Sequence, residues 1–426
     1  MPPVHPLARR RATRSATIAL AAAILAGCGD AAPAAQPRTA SRTIDIASDL
    51  PLDGWAKSSS DEANNAMRLY LSQVQHKAGR FTVSLKIYDD STPSRGNWDD
   101  EACVRNAVAH VRGSEVAVMG PDDSGCARLM VPVMNAVSNG PLLMVSHSST
   151  NPGLTKAWGP DEPQKFAASG RRSFARVAAT DDLAGVAAAA YITGTLHASR
   201  CYILNDGGLY GLGTARAFAA AAERRGITVL GDKSWPVAAT SYIAMFEKIR
   251  ALRPDCVYLA GSIDNNGMQV IRDKVGVLGD NARVALVATD GFSSDARMDA
   301  MPQASGMVVT VGGDSVDQAV RSSPAAATFV AAYKQRYGSA IATAYTLEAV
   351  AALQVILAAV EASDGSRASV DAAVFGAANL TVPAAISITG RDITINRSTG
   401  DSTSATMTIL TVRAGTEAFV SSETVS

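Results

Sequence analysis

The feature that most constrains this chain is a strand–helix alternation that runs for about a hundred residues, pauses, and starts again. Thr43, Ile44, Asp45, Ile46 and Ala47 read as a strand. Ser58-Ser59-Ser60-Asp61 then signals a helix start, with Ala63, Ala66, Met67, Tyr70, Leu71 and Val74 at helical spacing and Gly79 as the stop. Phe81, Val83, Leu85 and Ile87 alternate as a second strand. Helices over 103–111 and 126–137 lead into buried strands at 116–119 and 142–145. The rhythm resumes with helices at 183–192, 213–225, 242–252 and 268–275, followed in turn by strands at 201–204, 227–230, 256–260 and 284–288. Two such series predict two doubly wound, Rossmann-like α/β lobes with parallel sheets. A length of 426 residues likewise exceeds what one compact core usually holds. In such lobes ligands sit beyond the carboxyl ends of the strands.

Beyond the second series, Phe329, Tyr333 and Tyr337 share a helix, and 345–360 is a long apolar one. The tail over 386–412, with Gly390 and Gly400 as turn residues, reads as short strands able to return the chain across a hinge.

The N-terminus carries an address. Arg9, Arg10, Arg11 and Arg14 precede the short apolar run ATIALAAAIL, and Leu25-Ala26-Gly27 places small residues before Cys28. This is the tripartite form of a secretory signal over 1–27, too short to span a bilayer. LAGC resembles the bacterial lipobox, which implies cleavage before Cys28 and its lipidation; plain secretion is the alternative. Residues 28–42, rich in Ala, Pro and Gln, read as a flexible tether. Basic and acidic side chains balance at 39 each, so losing four arginines leaves a mildly acidic chain with no nucleic-acid signature.

Four further cysteines, Cys103, Cys126, Cys201 and Cys256, include no CxxC pair and no Cys/His metal spacing. In an exported protein they suggest two disulfides, 103 with 126 and 201 with 256. Buried free thiols are the competing reading for the second pair. The histidines His5, His76, His110, His147 and His197 are scattered, and no GxSxG, HExxH or P-loop occurs. GGLYGLG at 207–213 follows a strand but lacks dinucleotide-loop spacing, and Tyr210 would crowd a pyrophosphate. Neither a cofactor, a metal nor catalysis is expected.

Nine segments in order, ASDLPLDGW, IYDDS, VMGPDDSGCA, VSHSSTNPGLT, SFARV, LNDGGLYGLG, PDCVYLAGSIDNNG, VATDGF and AYTLEAVAAL, resemble the type I periplasmic binding proteins, in particular the leucine/isoleucine/valine-binding branch. The resemblance runs from about Ile44 to Gly415. It implies a lobe of 43–175 plus 313–400, a lobe of 176–312 plus 401–426, and three crossings. It also implies an extracytoplasmic lipoprotein that binds an amino acid or similar solute for the permease of an ABC importer. A sensor with a membrane signalling partner, or a receptor for an amide or aromatic acid, are the alternatives. By the same resemblance, Ser124, Ser148 and Thr150 hold the ligand carboxylate, Tyr210 forms a lid, Asp290 meets an ammonium group and Trp55 walls the side chain. Ser262 replaces a second tyrosine, which implies a roomier or more polar pocket. Asp123 and His147 flank the carboxylate loops. Plainer roles compete: helix capping for Ser124 and Thr150, core packing for Tyr210 and Trp55, and a turn aspartate for Asp290.

Overall fold

A computed structural model describes residues 42–425 apart from 94–96, 139, 168 and 404; the side chains of 55, 344, 405 and 423–425 also lie outside the description. The signal, the tether and Cys28 therefore fall outside the described residues.

The first run of the chain lays down β1 (Thr43–Leu50), β2 (Lys77–Ala78), β3 (Phe81–Asp89), β4 (Glu115–Met119), β5 (Leu143–Ser146) and β6 (Phe174–Arg176) as one sheet in the order β2-β3-β1-β4-β5-β6. Between them come α1 (Lys57–Gln73), α2 (Asp100–Arg112) and α3 (Ser124–Asn135). Side-chain alternation explains why helices cover both faces. Ile44, Ile46, Ala117 and Met119 enter one apolar layer, while Ala47, Val118 and Met144 enter the opposite one with Cys103, Cys126 and Met130 of α2 and α3. Cys103 and Cys126 are bonded, their Cα atoms 5.6 Å apart.

The second run contains α4 (Asp181–Gly194), β7 (Arg200–Asn205), α5 (Leu209–Arg224), β8 (Thr228–Ser234), α6 (Ile243–Ala251), β9 (Cys256–Ala260), α7 (Met268–Leu278), β10 (Ala285–Thr289), α8 (Ala296–Asp299) and β11 (Val308–Gly312). Again alternate residues divide between two layers, Leu204, Val257, Leu259 and Leu286 on one face and Ile203, Tyr258, Ala260 and Val287 on the other.

After β11 come α9 (Val316–Ser322), α10 (Pro324–Tyr337), α11 (Ala344–Glu361) and α12 (Arg367–Phe375), then the small pair β12 (Leu380–Val382) and β13 (Ile393–Ile395). The apolar α11 is buried in the first lobe, where Val350, Leu353, Val355 and Ile356 meet β1 and α1 residues such as Ile46 and Met67. Finally β14 (Ala405–Arg413) and β15 (Thr416–Val425) join the second sheet, in the order β15-β14-β11-β10-β9-β7-β8.

Three expectations change. The sheets are mixed rather than purely parallel: β2 pairs antiparallel with β3, and β14 with β11 and β15. β14 starts next to the crossing at Asp401, so it runs through the second sheet against the direction of β11. The alternation does not show β11, and the tail, read as short strands over 386–412, runs on into a β14–β15 hairpin that ends at Val425. Cys201 and Cys256 are both buried free thiols, not a disulfide. They are register partners on the parallel strands β7 and β9 and point into one apolar layer. Neighbours of this kind project side by side, and each packs as a small hydrophobe.

The crossings are pinned by Arg176, fully buried at the end of β6. Its Nε donates to Asp401 Oδ1 at 2.8 Å, its Nη1 to the carbonyls of Ser149 and Asn151 at 2.8 and 2.7 Å, and its Nη2 to the Thr155 hydroxyl. One guanidinium thus ties two crossings to the loop that follows β5.

Candidate functional site

The strand ends of both lobes open on one cleft of about 790 Å³. A glycine turns the chain at matching places in each lobe. Gly120 after β4 has φ +117°, and a Cβ there would lie 2.3 Å from the Asp49 carbonyl; Gly261 after β9 has φ +149°, and a Cβ would come 2.6 Å from the Asp206 carboxyl. Only glycine fits such a bend.

On the first lobe the bend at Gly120 delivers Asp122, Asp123 and Ser124 to the cleft. Asp123 caps α3 by accepting the Gly125 N–H at 2.5 Å, and the Trp98 indole lies against Gly125. Burial drives the Asp123 carboxyl up to about 7, the Gly125 N–H opposes this, and Asp122 and Asp206 add to it. Ser124 is almost wholly buried, and its Oγ accepts the Asn151 N–H at 3.1 Å. The Ser148 hydroxyl donates to Asp122 Oδ1 at 2.7 Å. His147 lies 3.4 Å from the same carboxylate, and burial lowers its pKa despite that neighbour.

On the second lobe Asp206 follows β7 directly. Its carboxylate accepts the Gly208 and Ser262 N–H groups at 3.0 and 3.1 Å and the Asn265 amide at 2.7 Å. The Ser262 hydroxyl donates to Asp264 at 3.1 Å. Asp264 is pushed up to about 7 by burial, against the pull of Ser262 and Arg297. Asp290, after β10, receives hydrogen bonds from two phenols, Tyr210 of α5 and Tyr345 of α11. Burial raises the Asp290 pKa while Tyr210, Tyr345 and the Gly291 N–H pull it back. Burial, then the Asp290 charge, holds both phenols protonated. Tyr345 opens α11, whose apolar length is buried in the first core, while its own ring packs against the core layer of the second sheet.

A family model described as periplasmic binding protein matches residues 43–417. The chain belongs to the type I periplasmic binding proteins. The Leu/Ile/Val-binding protein BraC3 of Rhizobium johnstonii is 26% identical over 73% of this chain and 77% of its own length. A leucine-binding protein from Thermotoga maritima superposes with a TM-score of 0.72 at 20% identity, over 89% of this chain and 98% of that one. A Rhodopseudomonas palustris solute-binding protein in complex with 4-hydroxybenzoate gives 0.71 at 15% identity, over 89% and 97%. Membership makes this periplasmic binding protein an extracytoplasmic, substrate-binding component of an ABC transporter and not an enzyme. None of its described helices is long and apolar enough to cross a membrane.

Of the residues singled out in the sequence of this periplasmic binding protein, Ser124, Ser148, Tyr210, Ser262 and Asp290 all line the cleft. Thr150 does not: it is 3% exposed, its carbonyl accepts the Asp181 N–H at 3.1 Å, and its hydroxyl sits beside the Asp181 carboxyl with no close partner. The loop turns inward there because Asn151 caps a short 3-10 turn (Pro152–Leu154) behind the cleft. The Trp55 side chain lies outside the described residues. Tyr345, Asp122, Asp206 and Asp264 line the cleft without having been singled out. Asp206 and Asp264 lie just beyond the ends of β7 and β9, where the strand-end rule points; Tyr345 lies in the AYTLEAVAAL segment, whose resemblance gave it no role. Among the described residues, the metal-like grouping Asp90, Cys103 and Cys126 has its two thiols bonded to each other.

Proposed function

We propose that this protein captures a small amine-bearing solute, an amino acid or a close analogue, between its lobes and delivers it to the permease of an ABC importer. Lobes of 43–175 with 313–400 and of 176–312 with 401–426 hinge at three crossings, and lipidated Cys28 tethers the mature chain to the outer face of the membrane. The observation that carries the amine is Asp290: a carboxylate in the cleft, set between Tyr210 of α5 and Tyr345 of α11, is an acceptor for a cationic nitrogen. Ser124 supports a polar contact at the other wall, since its oxygen takes the Asn151 N–H and its own hydrogen is left for a ligand. Ligand that touches both lobes shifts the hinge toward closure, and the closed form presents both lobes to the permease.

Calorimetric titration of the mature chain with amino acids tests this reading. Asp290→Ala is expected to weaken binding at least thirty-fold with an unchanged far-ultraviolet dichroism spectrum, the cost of losing a buried charge partner being about 2–5 kcal/mol. Equal affinity in the variant removes the role of Asp290. No binding by any amino acid removes the solute class.

A further inference from the structure

The cleft is the ligand site on grounds independent of its charge: it lies at the strand ends of both lobes, and family membership places solute binding between lobes. Its lining then decides what kind of solute fits. Asp122 and Asp123 come from the first lobe, and Asp206, Asp264 and Asp290 from the second. Among the described lining residues Arg128 is the one guanidinium or ammonium group. Arg297, just outside, is already paired with Asp295 and Asp264.

Most of the donors that could meet a ligand carboxylate are also taken from within, the Ser124 hydroxyl apart. The Gly125 N–H at the start of α3 serves Asp123, the Ser148 hydroxyl serves Asp122, and the donors around Asp206 serve Asp206. A ligand arriving there meets oxygen acceptors rather than donors. Moreover, Asp123 follows β4 of the first sheet and Asp206 follows β7 of the second, and both face one cavity. Closing the lobes brings like charges together, which opposes closure unless a positive group lies between them.

We propose that the solute carries a second cationic nitrogen, an ammonium or guanidinium group, that bridges Asp123 and Asp206 across the cleft, so that a net-positive solute is what closes this protein. The inference rests on the cleft being the amine-binding site proposed above, and it excludes aromatic acids of the kind named for the Rhodopseudomonas neighbours.

The test is calorimetric titration of the full mature chain with L-lysine, L-arginine, their uncharged isostere L-norleucine, putrescine and benzoate at pH 7.5. Lysine or arginine is expected to bind at least thirty-fold more tightly than norleucine, with benzoate silent. Asp123→Asn keeps an oxygen to cap α3, and Asp206→Asn keeps the side-chain volume; each is expected to cut the lysine-over-norleucine preference at least tenfold. Thermal melts confirm that each variant folds. Norleucine binding as tightly as lysine and arginine overturns the second cation and leaves the amino-acid reading standing. Putrescine binding with no amino acid bound upholds the second cation and overturns the amino-acid reading. Benzoate as the tightest binder, or no binding at all, overturns both.

Discussion

Replacing Tyr345 by Phe removes one phenolic hydroxyl and nothing else. The ring keeps its edge-on packing against His147, 6.3 Å between centroids. What disappears is the hydrogen bond from α11 to Asp290. Bonds to a charged acceptor contribute about 1.5–3 kcal/mol. The donor is carried by α11, anchored in the first core, and the acceptor follows β10 of the second sheet, so the bond is expected to form only when the lobes are together. Its loss therefore falls on the closed state alone and shifts the open-to-closed ratio by about 10- to 150-fold. Ligand affinity, which depends on reaching the closed state, weakens by a similar factor. Calorimetry reads the affinity, and small-angle scattering of the ligand-free chain reads a larger radius of gyration. The lobe cores are untouched, so the midpoint of thermal unfolding stays close to that of the parent chain. An unchanged affinity with an unchanged scattering curve refutes the reasoning. Tighter binding refutes it too, since it means that the hydroxyl competes with the ligand for Asp290.

Three further outcomes are expected. Arg176→Met leaves the Asp401 carboxylate and the carbonyls of Ser149 and Asn151 without their donor at a buried crossing; urea unfolding is expected to show a loss of about 3–5 kcal/mol, and a loss below about 1 kcal/mol counts against the pin. Asp123 has a folded-state pKa of about 7 against an ordinary 3.8, so the folded chain binds more protons across that window. Its contribution to stability is present at acid pH and lost as pH rises through 7. Wild type compared with Asp123→Asn is thus expected to lose relative stability between pH 5 and pH 8, with Asp90, Asp122 and Asp206 the acids nearest in charge, and a pH-independent difference contradicts this. Thiol titration with a Cys28→Ser chain is expected to find no reactive thiol in the native state and two after denaturation, from Cys201 and Cys256; none after denaturation means that they are bridged.

Much of this architecture can be read along the chain, because burial in a sheet or against one leaves a local period. The buried strand Cys256–Ala260 was legible to the residue, and the long apolar helix over 345–360 is the buried α11. The strand-end rule points to the loops that carry Ser124, Tyr210 and Asp290, and the family resemblance names those three residues within them: a residue's distance from a strand end is a local property. Who meets whom across the cleft is not. Tyr345 reaches Asp290 over 55 positions and Tyr210 does so over 80, and the tail adds β14 and β15 to a sheet whose other strands were laid down about a hundred positions earlier.

The alternating elements and the strand ends that line the cleft are thus written in spacing along the chain, whereas of the two cysteine pairs expected there the folded arrangement bonds only Cys103 and Cys126. Only the tertiary structure decided that Thr150 turns inward, that the Ser148 hydroxyl is already taken by Asp122, and that carboxylates of opposite lobes share one cavity. Those outcomes depend on which donors and charges packing brings within a few ångströms of one another, and that is a property of the folded surface rather than of neighbours in the chain.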